Sequence, residues 1–177
     1  MERVATAILL VGLVAVACFF DIRERRIPNL LTFPAMAVGL CANAILGGTG
    51  GLLKSGLGLA AGFLILLLPF ALNWVKGGDV KFAAAIGAVK GWPFVGWALL
   101  FGALWGGFLA CFLLLRRRRL KEATKKAMGF MIAALLLKET KFVADPRGGY
   151  LPYGVALALG AITSLIFELW RGRPWPW

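Results

Sequence analysis

"SGLGLAAGFLILLLPFALNWVKGGDVKFA", residues 55–83, decides how this chain folds. Residues 55–75 contain no Asp, Glu, Lys or Arg. A helix rises about 1.5 Å per residue, so roughly 20 apolar residues cross the ~30 Å hydrocarbon core of a bilayer. Lipid offers no partner for backbone N–H and C=O groups; a helix pairs them internally and an isolated strand does not. The run therefore reads as a membrane helix. Directly after it stands Asp79, behind Gly77 and Gly78 and between Lys76 and Lys81. A carboxylate beside membrane depth is costly to keep, which makes Asp79 a candidate for function.

Working outward, residues 4–20, 31–53, 93–115 and 150–167 are equally free of charge. The 177 residues are 60% hydrophobic and 16% charged, against about a quarter charged in a soluble domain. These runs account for the deficit. The expected fold is all-α: a polytopic membrane helix bundle of about six transmembrane helices, forming one domain over residues 1–177. The first run reads as an uncleaved helix rather than a signal peptide, because apolar sequence continues through Cys18, Phe19 and Phe20. Cys18, Cys41 and Cys111 form no C-x-x-C, and the chain has no histidine. The cysteines read as small packing residues, and no metal or other cofactor is expected.

The net charge of +12 would suggest nucleic acid in a soluble protein. Here the basic residues cluster between apolar runs, in "RERR" at 23–26 and "RRRRLKEATKK" at 116–126. Such clusters mark the cytoplasmic face and meet anionic lipid head groups, so membrane lipids rather than nucleic acid are the expected partners. With "DIRERRIPN" at 21–29 placed inside, helix one (about 4–20) runs inward and helix two (about 30–47) outward. "GGTGG" at 47–51 turns outside, and helix three (about 55–75) returns. A short segment, 80–89, leads outward to "KGWP" at 90–93; helix five (about 94–115) returns, and the last helix (about 151–170) leaves. Only Arg3, Lys54, Lys90, Arg171 and Arg173 of the 20 basic residues then lie outside. Residues 127–137, "AMGFMIAALLL", are too few to cross and read as a helix in the interface.

On this map the three aspartates, Asp21, Asp79 and Asp145, share the cytoplasmic side. Two carboxylates held together share a proton: the ionised one draws a proton from water while the protonated one polarises a carbonyl. This chemistry needs neither metal nor histidine. Each residue also has a purely architectural reading. Asp21 ends a helix and Pro28 begins the next. Asp79 is an N-cap, and "DPRGG" around Asp145 is a turn. Lys81 snorkels to head groups, and "PYG" at 152–154 is a helix start with an interfacial aromatic. Two non-proteolytic readings stay open: a small proton-coupled transporter with Asp21 and Asp79 as relays, and a non-catalytic assembly factor for a pilus or secretion system.

Together, "DIRERRIPN" at 21–29, "KGGDVKFAAAIGA" at 76–88 and "LPYGVALALG" at 151–160 resemble the motifs of the prepilin peptidases, membrane aspartyl proteases of the G-x-G-D type. The resemblance covers nearly the whole chain. It implies Asp21 and Asp79 as the catalytic pair, with Gly77 and Gly78 allowing a tight turn and close approach to substrate. Lys81, Pro28, Asn29, Pro152, Tyr153 and Gly154 would shape the site or contact substrate. Lys76 stands where the family has its first glycine, which questions the turn geometry. The chain carries none of the paired C-x-x-C motifs of larger members, so the resemblance is to the compact, peptidase-only branch. The implied substrate is a prepilin or pseudopilin precursor, cut between a basic leader and a hydrophobic helix at the cytoplasmic face of the inner membrane.

Overall fold

The computed structural model describes residues 2–24, 26–72, 74–116, 153–172 and 175. The expectations for residues 127–137, Asp145 and Pro152 lie outside the described residues. The described residues form five α-helices: α1 (Glu2–Glu24), α2 (Asn29–Ala71), α3 (Gly77–Lys90), α4 (Trp92–Arg116) and α5 (Tyr153–Arg171). Four stretches, Val4–Glu24, Asn29–Ala71, Trp92–Phe112 and Tyr153–Arg171, are long and apolar enough to cross a membrane. The chain is thus the helical membrane bundle its apolar runs require.

α1 shows how such a helix is sorted between protein and lipid. Leu10, Leu13, Val14 and Ala17 recur at helical spacing and are buried, whereas Ile8, Val11, Phe19 and Ile22 on the other faces are exposed. Exposed apolar side chains are the normal outer surface of a protein solvated by acyl chains.

α2 is two limbs. Gly48 has φ 60 and ψ −144, a region open to glycine but strained for side-chain-bearing residues. A Cβ on Gly51 would collide with the carbonyl of Asn43, although eight residues of straight helix separate atoms by about 12 Å. The chain therefore reverses at Gly48, inside the expected turn, and residues 29–47 and 49–71 form the hairpin of expected helices two and three.

α3 occupies the space beside that hairpin. Phe82, Ala83, Ala84, Ala85, Ile86 and Ala88 are wholly inaccessible. Contact is backbone to backbone: a Cβ on Gly39 would lie 2.9 Å from the carbonyl carbon of Ala88, and Cβ atoms on Gly58 and Gly62 would overlap the backbones of Gly87 and Ala83. The expected short segment at 80–89 is thus present. Its 14 residues span only about 21 Å, and it is the buried centre of the bundle rather than one of the four candidate spans. α4 and α5 pack antiparallel, Gly160 meeting Ala98 and Gly102 while Gly102 meets Leu157. These pairings gather the C-terminus of α1 and the N-termini of α2, α3 and α5 at one end.

Candidate active site

Asp21 continues the buried stripe of α1, four residues beyond Ala17, so the packing that buries Leu10 and Val14 also turns Asp21 inward. It is 1% exposed. Its Oδ2 accepts a hydrogen bond from the Val155 N–H at 3.1 Å. Val155 lies in the first turn of α5, whose N–H groups have no partner within the helix and carry the positive end of its dipole. Gly154 makes the approach possible: a Cβ there would sit 2.6 Å from Asp21 Oδ2.

Asp79 comes from another helix. Lys76 is the N-cap of α3, with φ −83 and ψ 154. That is ordinary extended backbone, so a lysine at the family's first-glycine position leaves the entry to α3 unstrained. Asp79 is the third helical residue rather than the N-cap; its Oδ2 accepts from the Lys76 N–H at 3.3 Å, and its own N–H donates to the Lys76 carbonyl at 3.0 Å. The reach back from N3 to the N-cap is one half of a capping box. Gly77 and Gly78 are helical, and neither has positive φ. The expected tight turn is therefore absent. Gly78 instead packs on Ile27, and Gly77 faces Phe70.

Asp21 and Asp79 line one cavity of about 180 Å³, together with Arg26, Lys76, Asn29 and Gly78. Asp79 is 3% exposed and lies outside the candidate spans. Burial, and then the charge of Asp21, raise its pKa from 3.8 to about 6, against the opposing hydrogen bond from the Lys76 N–H and the Lys76 charge. Burial is the larger cause, and the nearby carboxylate adds to it because two neighbouring carboxyls resist ionising together. Among the described residues, no group of three or more His, Cys, Asp or Glu side chains is placed to hold a metal.

The remaining expected residues fall around this pair. Pro28 is the N-cap of α2, and Asn29, its first residue, is exposed while lining the cavity, which puts it at the mouth. Lys81 Nζ donates to Asn29 Oδ1 at 2.9 Å and lies 5.1 Å from the Phe33 ring centre. Tyr153 is half-buried at the start of α5. Sequence reasoning did not single out Arg26 as a cavity wall, because it sits in a basic run that the positive-inside rule already explains, and it read Lys76 only as a departure that questioned the turn geometry. Nor did it find the Val155 N–H, a backbone donor without a side-chain signature.

A model of the type IV leader peptidase family matches residues 8–115. That stretch contains Asp21, Asn29, Asp79 and Lys81 and stops before α5. The prepilin leader peptidase/N-methyltransferase of Aeromonas hydrophila is 35% identical over 118 residues, which cover 63% of this chain and 40% of that protein. Its namesake from Aeromonas salmonicida (strain A449) is 34% identical over the same shares. The chain thus spans about two fifths of the length of these relatives. No solved structure matches it.

Proposed function

The chain belongs to the type IV leader peptidase family, and from that premise we propose that it is an aspartic endopeptidase that removes the basic leader from prepilin or pseudopilin precursors. The observation that carries this reading is the pair of almost inaccessible aspartates, from separate helices, lining one cavity.

In the proposed reaction Asp79 is the protonated partner, as its raised pKa favours, and donates a hydrogen bond to the scissile carbonyl oxygen. The Asp21 carboxylate, steadied at Oδ2 by α5, takes a proton from water as the water oxygen attacks the carbonyl carbon. Collapse of the tetrahedral intermediate breaks the C–N bond, the proton held by Asp21 passes to the departing amine, and Asp79 is left ready for another turnover. The site is proposed to face the cytoplasm of the inner membrane. In support, Arg23, Arg26, Lys76 and Lys81 lie at the cavity end, whereas Lys54 and Lys90 lie at the other. The substrate's hydrophobic helix would remain in the bilayer while its leader junction enters the cavity.

The test is co-expression with pilin-like precursors, leader removal being followed by mass spectrometry in wild type, Asp21→Asn and Asp79→Asn. Cleavage is expected only from wild type, with each variant folded, membrane-inserted and reduced by at least about 10³-fold. Persistent cleavage in either variant removes that residue from the mechanism. Wild-type protein that leaves every cognate precursor intact returns the chain to the assembly-factor or transporter readings.

A further inference from the structure

Asn29 and Lys81 form a unit that the two-aspartate mechanism does not use. Asn29 lines the cavity mouth, in the first residue of α2, directly after Pro28, whose φ is −69. The Asn29 side chain follows the N-cap, Pro28, rather than serving as the cap. Its Oδ1 is taken by Lys81 Nζ at 2.9 Å. An ammonium only donates, which fixes the amide the one way round: oxygen toward Lys81, the NH2 group away from it. Among the described residues, no protein group accepts from that NH2. Lys81 is itself steadied over the Phe33 ring and follows Asp79 by two residues. The same helix therefore carries one aspartate and the cation that orients Asn29.

A peptide must be extended to present its scissile bond to two carboxyls, and an extended backbone has carbonyls in need of donors. We propose that Asn29 donates from Nδ2 to a backbone carbonyl of the substrate next to the scissile bond, and that Lys81 is the positioning residue that aims it. The proposal rests on the peptidase reading and adds to it a sequence-tolerant grip on the leader junction. Such a donor recognises the extended backbone, whatever side chains flank the cut.

The experiment is steady-state cleavage of a precursor peptide by the full chain in lipid nanodiscs, with thermal unfolding measured alongside. Asn29→Asp keeps the size and the Lys81 partner but replaces the donor with an acceptor. It is expected to raise KM about tenfold with kcat within about twofold, the scale of one lost hydrogen bond made equally in ground and transition states. Lys81→Met, which releases the amide, is expected to raise KM about threefold, and Lys81→Arg to restore it. The double variant Asn29→Ala/Lys81→Met should be no worse than Asn29→Ala alone, because Lys81 acts through Asn29. Unchanged KM in Asn29→Asp, or additive losses with lowered thermal stability, would overturn the inference while leaving the aspartate mechanism in place. A wild-type protein that cuts no precursor overturns the peptidase reading, and this inference with it.

Discussion

The two ends of α3 hold buried charge in different ways. At the C-terminal end the buried cation meets a carboxylate and backbone carbonyls find side-chain donors, although Asn43 Oδ1 has no hydrogen-bond partner among the described residues. Asn43 Nδ2 donates to the carbonyls of Ala88 and Val89, and Ser55 Oγ donates to that of Ala88. Lys90 sits in the last turn, where a cation suits the helix dipole, and contacts both Glu168 oxygens at 3.0 Å. At the N-terminal end Asp79 is as deeply buried, and that burial, followed by the charge of a second buried carboxylate, Asp21, raises its pKa. The difference teaches where a membrane helix can hold reactive groups. One end pairs its buried cation with a carboxylate and is pinned to its neighbours, whereas the other buries a carboxyl near a second one and favours its protonated form.

The comparison breaks most readily at Gly154. Any side chain there displaces the Asp21 carboxylate from the Val155 N–H, and misplacing a catalytic group by about 1 Å costs on the order of 10² in rate. Gly154→Ala is therefore expected to cut cleavage about 100-fold with little change in thermal unfolding; equal losses in both would make Gly154 a packing residue only. The neutralised end should answer in the reverse sense. Glu168→Leu removes the carboxylate facing the buried Lys90 and is expected to lower stability by about 3 kcal/mol, while cleavage at permissive temperature persists. Adding Lys90→Met should recover most of that loss, measured by denaturant or thermal unfolding in detergent.

The smallest effect is a pH shift that sharpens the contrast. Asp79 is protonated below about pH 6 when folded and below 3.8 when its ordinary value applies. Between those values the folded state binds the extra proton, so the stability linked to Asp79 is greatest at low pH and declines as pH rises toward 6. Cleavage that needs protonated Asp79 should show an alkaline limb near pH 6. Lys76→Gly keeps the N–H donor but deletes the nearby cation that lowers the Asp79 pKa, so the limb should move upward. A limb that stays put would mean that Lys76 does not tune the pair.

Much of this was legible in the sequence for identifiable reasons. Uncharged runs of membrane length dictate helices because lipid leaves the backbone no other partner, and two crossings between Asp21 and Asp79 return them to one end. Gly48 falls inside the expected "GGTGG" turn because only glycine adopts its backbone angles without strain. Residues 80–89 were harder. Their composition matches the lipid-facing runs, and nothing in it says that α3 is a 14-residue core helix enclosed by others. Asp79 has the one-dimensional signature of an N-cap, and the choice between N-cap and N3 depends on backbone angles at Lys76. Lys81 looks like any snorkelling lysine until α2 brings Asn29 and Phe33 within its reach.

By itself the sequence determined that this chain is a helical membrane protein with two aspartates on one side and a leader-peptidase pattern around them, because hydrophobic length and charge placement are local properties. Only the tertiary structure decided that these carboxyls face a common cavity, that α5 supplies the N–H which holds Asp21 from 134 residues away, and that Lys81 orients Asn29 across 52. Those contacts depend on glycine-to-backbone packing between helices, which sets distances to fractions of an ångström and leaves no periodic mark on the chain.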